Sequence, residues 1–161
     1  MIDMESERRI GIATREEIEG LSGLEVLEAI VAGELPSPPI GATMGFRLVE
    51  VEPGRAVFEG RPGPGLLNPL GQVHGGVALT LIDSAAGCAV HSELAAGVGY
   101  TTVETKANFT RPIAPDGGVV RCEGRVVSRG RTIATAEAYL RSAEGKLLAH
   151  GTSTLIILGP R

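Results

Sequence analysis

Between His74 and Val90 the chain reads His-Gly-Gly-Val-Ala-Leu-Thr-Leu-Ile-Asp-Ser-Ala-Ala-Gly-Cys-Ala-Val, and Asp83 is its only charged side chain. As a helix this stretch is apolar on nearly every side, so it is expected to be buried rather than amphipathic. A carboxylate carried into such a place must be paired, neutralised or used, because isolated buried charge is costly. Acid–base or nucleophilic chemistry is the use that fits such a group. The competing reading is a structural acid that caps a loop or pairs with an arginine.

Gly75 and Gly76 open the same helix, and their unobstructed N–H groups lie at the positive end of the helix dipole. That position suits a carbonyl oxygen that develops into an oxyanion, although a glycine pair also serves tight packing alone. Eight residues separate Gly75 from Asp83, which is about 12 Å along one helix axis. The two cannot both touch one reacting carbon. If both act, they come from different copies of the chain, which ties catalysis to dimerisation.

Asn68 lies in the loop that delivers the helix, where its amide can orient a water or a carbonyl, or simply form a turn. His74 is read first as a residue that holds the loop before the helix by hydrogen bonding, and second as a catalytic group. Gly87, one turn beyond Asp83, leaves room for substrate or for packing. His74, His91 and His150 show no metal-ligand spacing, so no metal site is expected. Cys88 has no electropositive setting to activate it. Ser84 lacks a Gly-x-Ser-x-Gly context, and Gly63-x-Gly65 lacks the third glycine of a dinucleotide fingerprint.

The elements that must position these residues are legible from periodicity. Ser22 with Glu25 forms a capping-box pattern, and Leu24, Leu27, Ile30 and Val31 then recur at helical spacing. Gly33 is a plausible stop, and Pro36, Pro38 and Pro39 forbid continuation. The segment Thr14 to Glu19 is a short helix or disordered. From Phe46 the period becomes two. Arg47 to Glu52 and Arg55 to Gly60 flank a Pro53-Gly54 turn. Strands are expected over Tyr100 to Phe109, Val119 to Val127, Thr132 to Arg141 and Leu147 to Leu158. Asp116-Gly117, Arg129-Gly130 and Glu144-Gly145 fall where hairpin turns belong. The sum is an α+β fold, one buried helix with about six antiparallel strands, preceded by an N-terminal helical extension over residues 1–40. One helix cannot cover both faces of such a sheet, so a homo-oligomer is expected.

At 161 residues the chain is large enough for one well-packed domain, over residues 41–161. Its five aromatic residues leave Val, Leu, Ile and Ala to fill the interior. Few stacking residues and a net charge of −4 argue against a nucleic-acid partner. No apolar run reaches membrane-spanning length, and Met1 to Glu7 has no signal-peptide character. Cys88 and Cys122 lack disulfide spacing, which points to a cytoplasmic protein. Charge is uneven: residues 1–60 hold 12 acids and 5 bases, whereas residues 106–146 hold 8 bases and 4 acids. The bases are solvated strand faces, or some of them meet an anionic ligand.

Asn68-x-x-Gly71-x-x-His74-Gly75-Gly76 with Asp83, followed by Thr102-Val103-Glu104-x-x-x-Asn108-Phe109-x-Arg111-Pro112, resembles the hotdog-fold thioesterases of the phenylacetate-pathway (PaaI-like) type. The similarity runs from about Gly41 to Ile157. It implies a hotdog fold and hydrolysis of an acyl-CoA thioester, with coenzyme A as part of the substrate and no separate cofactor. It also implies sites shared between subunits of a dimer or a dimer of dimers. Asp83 would be nucleophile or general base. Gly75 would polarise the carbonyl, with Asn68 beside it. Some relatives carry a hydroxyl one turn after the acid, and Gly87 here leaves Thr102 to supply it. Gly76, Gly87, Arg111, Arg129 and Arg131 are the expected substrate contacts, the arginines toward the nucleotide. A non-catalytic acyl-CoA-binding module is the alternative. A dehydratase ranks last, because no His-Phe-Pro-like motif occurs.

Overall fold

The computed structural model describes residues 8–116 and 118–159. Three short helices come first: α1 (Arg15–Ile18), α2 (Gly23–Ala32) and α3 (Pro39–Met44). Strands β1 (Phe46–Glu52) and β2 (Arg55–Gly60) follow, then a 3₁₀ turn at Pro64–Leu66 and the long helix α4 (Gly75–His91). Four strands complete the chain: β3 (Gly99–Phe109), β4 (Val120–Arg129), β5 (Ile133–Ser142) and β6 (Leu147–Leu158). They form one six-stranded sheet in the order β1-β2-β4-β5-β6-β3, antiparallel throughout. The sheet curls around α4. This is the hotdog architecture, with helical elements added at the N-terminus.

Local chemistry sets the boundaries. In α2 the Ser22 hydroxyl accepts from the Glu25 N–H while the Glu25 carboxylate accepts from the Ser22 N–H, and Gly33 closes the helix at φ 83°. Thr14 and Glu17 make the same reciprocal cap on α1, which resolves that segment as a helix. The proline cluster ends α2 as expected, but it also starts α3. Pro39 occupies the first turn of that helix, where its missing N–H costs nothing, so a proline-rich segment read only as a stop contains a further helix.

Gly54, at φ 76°, closes the β1–β2 hairpin. Arg129-Gly130 and Glu144-Gly145 fall at the β4–β5 and β5–β6 connections. Asp116-Gly117 is different. β3 lies at the sheet edge beside β6, whereas β4 lies between β2 and β5, so the chain between them crosses over instead of forming a hairpin. Asp116 belongs to that crossover, and Gly117 lies outside the described residues. Strand alternation marks turns well but does not say which strands are partners.

The core is built from small residues. Ala85, Ala86 and Ala89 of α4 have no exposed surface, nor do Ala136 and Ala138 of β5. Gly124 of β4 faces the helix so closely that a Cβ there would lie 2.3 Å from both the backbone carbon and the oxygen of Ala85. Leu27 of α2 joins the same core, with Ile30 and Val31 packed against it. On the other side of the sheet, Arg55 bridges Glu50, Glu52 and Glu123, and Arg121 bridges Glu50 and Glu59. Arg125 also pairs with Glu123. Part of the basic excess in residues 106–146 is therefore spent on carboxylates of β1, β2 and β4.

Gly124→Ala is expected to destabilise the fold by about 2–3 kcal/mol, because the new methyl collides with helix backbone that cannot rotate aside. The shift in the urea unfolding midpoint measures it.

Candidate active site

Asp83 lies on the wall of a cavity of about 640 Å³, together with Ser84, Gly87 and Cys88 of α4 and Tyr100, Thr101 and Thr102 of β3. Its opposite wall is largely apolar: Leu27 and Ile30 from α2, Ile40 from α3, Phe46 and Leu48 from β1, and Phe58 from β2. That volume is in the range of small-molecule sites. Two arginines, Arg8 and Arg47, also line it. Arg8 donates to the Ile30 carbonyl, and the Nε of Arg47 is buried without a partner among the described residues.

The acid is half-buried, more open than its apolar flanks imply, because it borders this cavity. Its Oδ1 accepts from the Thr105 hydroxyl at 3.0 Å, and Thr105 Oγ1 lies 2.8 Å from Ser153 Oγ. A hydroxyl has one proton. Thr105 gives its proton to Asp83, so it must accept from Ser153, which is 1% exposed on β6. A two-hydroxyl chain thus runs from β6 through β3 to α4 and orients the carboxylate. Oδ2 has no hydrogen-bond partner among the described residues. No arginine pairs with Asp83 among those residues either.

Thr105 was not among the residues singled out from the sequence. No pattern in the sequence marks it, because its direction depends on the register of β3. Its pairing with β6 shifts between Thr102 and Glu104, which leaves Val103 as an extra residue. Thr102 lines the cavity, but among the described residues it makes no hydrogen bond to Asp83.

At the other end of α4, His74 acts as the helix cap: its Nδ1 accepts from the Gly76 N–H at 2.9 Å. Gly76's N–H is therefore already taken. Gly75's N–H has no partner among the described residues. The ring of exposed Phe109 sits beside it, 3.4 Å from where a Cβ would be. Asn68 Oδ1 accepts from the N–H groups of Leu70 (2.9 Å) and Gln72 (3.2 Å), which closes the loop that leads to α4. Asn68, His74, Gly75 and Gly76 are not on the cavity wall that Asp83 lines. The structure brings Asp83, Gly87 and Thr102 together, and it gathers the other four at the helix start.

Arg111 is exposed and donates to the Leu147 carbonyl at 3.0 Å. Arg129 and Arg131 are exposed at the β4–β5 turn, away from the cavity. No group of three or more potential metal ligands occurs among the described residues. No helix among them is long and apolar enough to cross a membrane.

Cys88 borders the cavity, but burial, reinforced by the charge of Asp83, pushes its thiol up to about 12. Burial also raises the Cys122 thiol. Neither is a thiolate nucleophile near neutral pH.

Residues 70–149 match the model of the thioesterase superfamily. The chain is 31% identical over 112 residues to a "Putative esterase" of Saccharolobus solfataricus, covering 70% of this chain and 78% of that one. The fold matches the phenylacetic acid degradation-related protein of Ralstonia eutropha JMP134 with a TM-score of 0.73 at 30% identity, over 81% of this chain and 98% of that one. A hypothetical thioesterase of Streptococcus pneumoniae TIGR4, crystallised with coenzyme A, matches with a TM-score of 0.67 at 24% identity, over 74% of this chain and 92% of that one. The protein belongs to the hotdog-fold thioesterase superfamily and is a hydrolase of that class.

Thr105→Val keeps the shape of the side chain and removes the donor to Asp83. It is expected to lower kcat of thioester hydrolysis about tenfold, roughly 1.4 kcal/mol, with KM little changed. Steady-state kinetics with a thioester substrate measure it. A second expectation concerns the thiols. At pH 8 the folded protein should react with much less than one equivalent of a thiol-reactive dye within minutes, and with two after unfolding, as absorbance at the dye's maximum reports.

Proposed function

We propose that the protein hydrolyses an acyl-CoA thioester to the free carboxylic acid and coenzyme A. The observation that carries this reading is Asp83 itself: a carboxylate oriented by Thr105 through one oxygen, with the other unpartnered among the described residues, on the wall of an otherwise largely apolar cavity. Such a cavity suits the acyl group, and Asp83 acts at its thioester end. Asp83 either attacks the carbonyl carbon or takes a proton from the water that does. In both routes the C–S bond breaks, the sulfur leaves as the thiol after protonation, and one water is consumed.

The developing oxyanion needs a hydrogen-bond donor aimed at the carbonyl oxygen. Gly75's N–H, unpartnered among the described residues and at the positive end of α4, is suited to it, but on the same helix it lies about 12 Å from Asp83. The donor is therefore Gly75 of a second copy, with Asn68 beside it, and the working unit is a dimer or a dimer of dimers. The surface next to Gly75 supports such an assembly. β3 is an edge strand, and Val103 and Phe109 on it are 52% and 59% exposed. Arg111, Arg129 and Arg131 are exposed and unpaired with carboxylates among the described residues, which leaves them free for nucleotide phosphates. Coenzyme A enters as part of the substrate, and the fold accommodates it in the Streptococcus pneumoniae neighbour.

A panel of aliphatic and aromatic acyl-CoA thioesters, followed by release of free thiol, tests the reading. Wild type should turn over at least one class, and Asp83→Asn should lose at least a thousandfold in kcat with an unchanged elution volume and molar mass. Saturable acyl-CoA binding without thiol release would instead identify a non-catalytic acyl-CoA-binding protein.

A further inference from the structure

We propose that the Tyr100 hydroxyl holds the water consumed in turnover, sharing it with the free oxygen of Asp83. The inference rests on the hydrolytic reading above and adds a catalytic residue to it. Asp83, Gly87 and His91 follow one another at four-residue spacing on α4, so they form a row along one face of the helix. Gly87 is buried, and the space its side chain would fill is occupied by Tyr100. A Cβ at residue 87 would lie 3.1 Å from Tyr100 Oη and 3.2 Å from its Cε2. The ring is steadied from the far side by His91, whose centroid is 5.4 Å away.

The hydroxyl that this arrangement delivers has no hydrogen-bond partner among the described residues, and Tyr100 lines the same cavity as Asp83. One helical turn separates Gly87 from Asp83, about 6 Å along the axis. The carboxylate and the Tyr100 hydroxyl thus flank neighbouring stretches of one cavity wall. The proposed water lies between Tyr100 Oη and Asp83 Oδ2. With one hydrogen held by each oxygen, its lone pair is left for the carbonyl carbon. As the water oxygen bonds to that carbon, its first proton passes to Asp83 and then to the leaving sulfur, and the phenol remains intact. Burial, reinforced by the charge of Asp83, raises the Tyr100 hydroxyl well above its ordinary range, so it stays neutral beside the carboxylate. Burial also lowers His91, so the group backing the ring is an uncharged imidazole near neutral pH.

Tyr100→Phe retains the ring and removes only the oxygen. The expected result is a 20- to 100-fold fall in kcat with KM within twofold of wild type and an unchanged thermal midpoint. A loss of water selectivity should accompany it. With hydroxylamine present as a competing nucleophile, the ratio of hydroxamate to free acid should rise at least fivefold in the variant. Gly87→Ala provides a second reading that keeps the tyrosine, because its methyl displaces the hydroxyl by a few tenths of an ångström, and kcat should fall at least fivefold. A kcat for Tyr100→Phe within twofold of wild type, or a loss confined to KM, overturns the proposal while leaving hydrolysis intact. No turnover of any thioester by wild type overturns the hydrolytic reading and the water site with it.

Discussion

The closeness of α4 to the sheet is the constraint on which the rest of the molecule depends. Gly124 leaves no space for even a methyl group above Ala85, and the alanines of α4 and β5 are fully buried. With so few aromatic side chains in the chain, the interior is filled by bringing backbones together rather than by inserting large groups. Close-packed small residues leave the helix one rotation about its axis. That rotation turns the face carrying Asp83 and Gly87 away from the sheet's centre. It sends them to the gap between the two edge strands, β1 and β3, where the cavity lies.

Fixing the helix also fixes what its two ends can do. The N-terminal end offers exposed backbone donors, of which His74 occupies one and leaves Gly75's available. The middle offers a carboxylate whose orientation is set from outside the helix, by hydroxyls on two strands. Neither end is a complete site for thioester chemistry. A helix-start N–H and a carboxylate on one rigid helix lie about 12 Å apart, which is why the proposed chemistry calls on a second copy.

Much of this could be read from the chain. The lone acid in an apolar helix, the glycine start, the capping box at Ser22 and the alternation of β4 and β5 all translated directly into structure, because each rests on near neighbours in sequence. What could not be read depends on partners far along the chain. Thr105 is an example: three residues from Thr102, it would face the opposite way in a regular strand, and only the extra residue at Val103 returns it to the helix side. Tyr100 is another, because nothing in the pattern says that a strand tyrosine fills the space left by Gly87. The half-buried state of Asp83 follows from a cavity formed by six separate elements. The crossover at Asp116 follows from strand order, which alternation does not encode. Helix α3 was hidden by prolines that both end one helix and begin the next.

The cavity's two walls come from different stretches of the polypeptide. Residues 8–58 supply the apolar side, and residues 83–102 supply the side with the acid. Shape and reactivity are therefore inherited separately. Drift in the leading helices can widen, narrow or re-charge the chamber while the carboxylate and its hydroxyl tether stay where the sheet puts them. A lineage built this way can change its diet without relearning its chemistry.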